Sequence, residues 1–138
     1  MNEEKRTQIW QWLIKSQHDL GSARRLMGGE EPYLDTAVYH CQQAVEKALK
    51  GFLSYHDVIF GRTHDLTELV ALSAQVESTL DAWRDVASEL TPYAVRFRYP
   101  AEVLEPELDE AERALADAQA STDFIIDLLP EEVIPQSK

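Results

Sequence analysis

The stretch Tyr39-His40-Cys41-Gln42-Gln43-Ala44-Val45-Glu46-Lys47-Ala48-Leu49-Lys50-Gly51-Phe52-Leu53 decides the fold. At about 100° per residue, Leu34, Ala37, Cys41, Ala44, Val45, Ala48, Phe52 and Tyr55 fall on one face of a helix. The same rotation puts Tyr39, Gln43, Glu46 and Lys50 on the opposite face. It also runs His40, Gln43 and Lys47 down one flank. Gly51 is out of place in such a helix, where glycine costs about 1 kcal/mol relative to alanine. A second helix in close approach would account for it.

Working outward, the helical period recurs almost throughout. Ile9, Leu13, Leu20, Ala23 and Met27 make one stripe, flanked by Trp10 and Trp12, and Gly28-Gly29 ends it. Pro32 fits the first turn of the next helix. After "FGRTHDLTEL", Asp65-Leu66-Thr67-Glu68 has capping-box spacing, with Thr63 as the alternative cap. A third helix carries Leu66, Leu69, Val70 and Val76. A fourth carries Leu80, Trp83, Val86, Ala87, Leu90 and Ala94, with a kink or break at Pro92 and an end before Pro100. The last carries Leu104, Leu108, Ala111, Leu115, Ala118, Thr122, Ile125 and Leu129, near heptad spacing, and Pro130 closes it. No segment alternates as a strand does. The expectation is an all-α, antiparallel up-and-down bundle of four to five helices, one domain over 1–130 with a frayed tail over 131–138.

The chain has 138 residues, 44% of them hydrophobic, enough for a real core. No apolar run approaches the ~20 residues of a membrane span. The charged start "MNEEKRTQIW" lacks a signal core, and a single cysteine, Cys41, suits a reducing cytoplasm and excludes a multi-thiolate zinc site. The net charge of −12 argues against gripping a long nucleic acid. From Ala101 to Lys138, eleven acidic residues face only Arg113 and Lys138. Such asymmetry reads either as a solvated acidic face or as a surface for a basic partner or a second copy.

The block "YHCQQAVEKALKGFL", followed by "THDLTEL" and then "RFRYP", resembles the HEPN family of small helical domains, and the likeness runs from about Ile9 to Leu129. The resemblance implies a bundle, commonly a homodimer, of prokaryotic occurrence. It implies a minimal nucleotidyltransferase as partner in a two-gene, toxin–antitoxin-like unit, and for some members nucleotide binding. Other members are metal-independent ribonucleases that carry a late Arg, four to six residues, then His. Here the histidines are His18, His40, His56 and His64, and none has an arginine at that spacing before it. After Arg96 and Arg98 the chain reads "YPAEVLEPELDEAE". The catalytic pair is therefore not carried over, nor is the tyrosine-bearing motif on which a nucleotidyltransferase would act.

The candidate ligand-binding residues are Gln43, Lys47, Lys50, His64, Asp65, Arg96, Arg98 and Tyr99. Each has a structural reading beside the functional one. Arg96 and Arg98 either satisfy carbonyls at a helix end or bind phosphate through planar, bidentate donors. His64 and Asp65 either cap the third helix or present an imidazole where an anion would sit. Glu46 and Lys50 make an i, i+4 pair worth about 0.3–0.5 kcal/mol on an exposed helix. Gln43 and Lys47 bind phosphate or pack across an interface. Cys41 reads as a small core side chain, and Trp10, Trp12 and Trp83 as core or interface aromatics. The alternative to a non-catalytic module is a ribonuclease with a rearranged site of Arg62, His64, Arg96 and Arg98. A third reading is a scaffold bundle. No motif calls for a metal or a cofactor.

Overall fold

The computed structural model describes residues 1–136. Its α-helices are α1 (Glu3–Met27), α2 (Leu34–Tyr55), α3 (Leu66–Val76), α4 (Arg84–Leu90) and α5 (Leu108–Asp127). There is no strand among the described residues. Asn2 opens α1 by accepting from the Lys5 amide at 2.8 Å. Glu3 and Glu4 in the first turn and Arg24 and Arg25 in the last complement the helix dipole. Gly29 then takes a left-handed φ of 83°, which turns the chain back.

Helices α1 and α2 lie antiparallel, as their contacts show. Gly51 sits against Trp12 and Leu13, the Ser16 hydroxyl donates to the Ala44 carbonyl at 2.7 Å, and Asp19 meets His40 and Lys47. A Cβ on Gly51 would lie 3.2 Å from both Trp12 Cβ and Leu13 Cδ2, which is the close approach its position in the helix requires. Helix α5 runs back along α1, where Arg24 Nη1 donates to Gln119 Oε1 at 2.7 Å.

Helix α2 is the centre of the bundle. Its expected apolar face is buried, with Tyr55 partly so. The opposite, polar face is buried too: Gln43, Glu46 and Lys50 are 8%, 4% and 7% exposed. The reason is that α1, α3 and α5 all pack on α2, and the loop before α3 covers what they leave.

Other expectations shift at the edges. Pro32 lies before Tyr33, the N-cap residue of α2, and not inside the first turn. The fourth helix is broken into a 3-10 turn over Ser78–Trp83, the short α4, and a second 3-10 turn over Thr91–Ala94 with Pro92 at its start. Leu104 lies outside α5 and Leu108 at its first residue, and both are exposed, so the buried stripe begins at Ala111. Val76 and Trp10 are exposed at 43% and 40%. The tail expected to fray instead turns through Glu131–Val133, and Val133 is fully buried. Residues 137 and 138 lie outside the described residues.

Candidate functional site

Two polar clusters are built on α2. The first centres on Glu46. Its Oε2 accepts from Lys50 Nζ at 3.1 Å, and its Oε1 accepts from His64 Nδ1 at 2.7 Å and Gln42 Nε2 at 3.2 Å. Gln42 Nε2 also donates to the His64 carbonyl at 2.9 Å, and Gln43 Nε2 donates to Gln42 Oε1 at 2.7 Å. The Lys50 ammonium lies 5.9 and 5.8 Å from the ring centres of Trp12 and Phe60. A buried charge is tolerable only when paired and hydrogen-bonded. Here both carboxylate oxygens are engaged, and the cluster's chief effect is to fasten the loop before α3 to the middle of α2.

Of the sequence-predicted residues, Gln43, Lys50 and Asp65 are thus committed to internal contacts. Asp65 accepts from the Thr67 amide at 2.9 Å as the cap of α3. The amide of Asp65 goes to Thr63 Oγ1 at 3.0 Å, so Thr63 and not Glu68 completes the cap. The hydrogen bond from the Thr67 side chain holds the Asp65 carboxyl below the usual carboxylate range. His64 is anchored through Nδ1 and its side chain is 67% exposed.

The second cluster centres on Asp19, whose side chain is 9% exposed. Its Oδ1 accepts from His40 Nδ1 and its Oδ2 from Lys47 Nζ, each at 2.7 Å. Beside it opens a cleft of about 250 Å³ lined by Asp35, Thr36, Tyr39, His40, Phe97 and Arg98. The Arg98 guanidinium lies 4.1 Å from the centre of the Tyr39 ring, and its Nη1 donates to the Ala94 carbonyl at 3.2 Å. Phe97 adopts a left-handed φ of 70°, uncommon for a bulky residue, and this bend delivers Arg98 to the cleft.

The structure therefore places Arg98 on the cleft that His40 also lines, and joins Lys47 to His40 through Asp19. It leaves Tyr99 exposed and Arg96 turned over the Phe97 ring at 4.8 Å. Among the described residues no hydrogen bond or ion pair joins His64 to Arg62, Arg96 or Arg98. No group of three or more His, Cys, Asp or Glu side chains is placed to hold a metal among the described residues. Among the described residues no helix is long and apolar enough to cross a membrane.

Sequence reasoning missed Asp19 and His40 as a pair. The signal was present, since Asp19 falls between Ser16 and Leu20 on the stripe that α1 buries, and a carboxylate there requires a partner.

The HEPN domain model matches residues 9–128. Among solved structures, the chain is similar to TT1696 from Thermus thermophilus, with 26% identity and a TM-score of 0.76 over 88% of this chain and 98% of that one. It shares its fold with ST0689, an archaeal HEPN homologue, at 21% identity and a TM-score of 0.66 over 87% of this chain and 96% of that one. No curated protein matches the chain. With the family model covering nearly the whole bundle, the chain belongs to the HEPN domain family.

Proposed function

We infer that the chain is a non-catalytic HEPN module that binds a nucleotide in the cleft between the start of α2 and the 97–98 turn. One observation carries the reading: the Arg98 guanidinium is held over Tyr39 at the edge of a cleft that His40 and Phe97 also line. Aromatic surface with a planar cationic donor suits a base together with a phosphate. The lack of the late Arg and His pair supports binding without cleavage. So does the hydrogen bonding of His64 to Glu46, while Arg98 donates to the Ala94 carbonyl.

Calorimetric titration with the nucleoside monophosphates tests the reading. Binding that Arg98→Ala weakens about tenfold, with an unchanged melting temperature, is the expected result. No heat with any nucleotide would overturn it.

A protein partner is the second reading, and the segment after α4 favours it. Val95, Tyr99, Val103 and Leu104 are 63%, 67%, 59% and 62% exposed and stand among Glu102, Glu105 and Glu107. Apolar residues among acids suit a basic partner, or a homodimer in part. A nucleotidyltransferase in a toxin–antitoxin-like unit is the partner the family implies. Light scattering tests the dimer; a strict monomer at tens of micromolar speaks against it.

A further inference from the structure

We propose that Asp19, His40 and Arg98 form a phosphate seat, so that the cleft selects a nucleoside monophosphate over the nucleoside. This rests on the nucleotide reading above and specifies which part of the ligand is recognised.

The argument begins with the ring nitrogens of His40. Asp19 Oδ1 can only accept, so His40 Nδ1 carries a proton and donates to it. That fixes the tautomer and leaves Nε2 for something else, the arrangement by which a buried carboxylate orients a working imidazole. His40 lines the cleft, so Nε2 is the ring nitrogen available to an occupant. A neutral ring offers a lone pair there and a charged ring offers an N–H. A phosphate monoester serves either state, because its protonated oxygen donates and its charged oxygens accept.

Arg98 supplies the second contact. Of its five N–H donors, one nitrogen is turned to the Ala94 carbonyl, and stacking on Tyr39 fixes the plane of the rest. One further feature limits the negative charge at the seat. Lys47 shares Asp19 and offsets its charge. Asp35 is the acidic member of the cleft, and its Oδ1 is occupied by the Thr36 amide at 2.8 Å. The strained Phe97 backbone lies next to Arg98 in the same cleft, where stored strain commonly accompanies a ligand clamp.

The test is calorimetric titration of the full chain with AMP and with adenosine, and likewise GMP and guanosine, for the wild type and the variants His40→Gln and Arg98→Ala. Thermal melts accompany each variant. The expected result is that one monophosphate binds at least about tenfold more tightly than its nucleoside, and that each variant removes most of that preference while leaving the weak nucleoside affinity in place. Equal affinity for monophosphate and nucleoside would overturn the phosphate seat while leaving nucleotide binding intact. A monophosphate preference untouched by both variants would place the phosphate elsewhere and also overturn it. Absence of binding by every ligand would overturn both readings.

Discussion

Replacing Glu46 by Gln tests whether the interior of the bundle depends on the charge it encloses. Glu46 and Lys50 side chains are 5% and 9% exposed, so neither can turn to water when its partner is lost. Removing one member of a buried pair costs about 3–5 kcal/mol, because the other charge stays buried and uncompensated. The rings of Trp12 and Phe60 remain beside the Lys50 ammonium and recover part of this, at roughly 0.5–1 kcal/mol each. The expected loss for Glu46→Gln is therefore about 3 kcal/mol. For a domain of this size that lowers the melting temperature by roughly 10 °C. Urea denaturation with a thermal melt measures both. The double variant Glu46→Gln with Lys50→Met should return to within about 1 kcal/mol of the wild type, since an apolar chain has no charge to strand. A single-variant loss under about 1 kcal/mol, or a double variant no better than the single, would refute the account of the cluster.

Three further outcomes follow from the geometry. Gly51→Ala gains about 1 kcal/mol of helix propensity, but its new Cβ meets Trp12 Cβ at 3.2 Å, an atom fixed to the α1 backbone. Overpacking costs about 1–3 kcal/mol, so chemical denaturation should show a net loss of about 1 kcal/mol. Burial pushes the Cys41 thiol up to about 12; a thiol reagent at neutral pH should label the protein only as it unfolds. The lowered Asp65 carboxyl contributes stability that is present above its ordinary value of 3.8 and is lost as pH falls through the folded value. Asp65→Ala should cost about 1 kcal/mol at pH 7, and the gap to the wild type should close below that ordinary value in urea melts at descending pH.

The period of α2 and the glycine inside it made the bundle legible, because an apolar stripe and a missing side chain both report on a neighbour. Gly51 predicted the contact that Trp12 and Leu13 make. What the period could not report is how many neighbours there are. Gln43, Glu46 and Lys50 look like the wet side of an amphipathic helix, yet the loop carrying His64 lies over them. That loop is held by side-chain hydrogen bonds between residues far apart in sequence, and such bonds have no local pattern. Leu104 and Leu108 continue the spacing of the last helix, but the chain around Pro100 and Pro106 is not helical and the stripe does not extend to them. In the cleft, Arg98 was visible as a cation at a helix end. His40 was visible only as one member of a flank, because its meaning depends on Asp19 from another helix.

The enclosure of α2 has a kinetic corollary. A helix with a solvated side can fray and reopen without disturbing the rest of a bundle. Helix α2 is packed by α1, α3 and α5 and pinned by two polar clusters, so its central amides reach water only when those neighbours part. Hydrogen exchange from Cys41 to Leu49 should then proceed through whole-molecule opening, at a rate that reports the global unfolding equilibrium. The outer 3-10 turns at Ser78–Trp83 and Thr91–Ala94 should exchange independently and far faster.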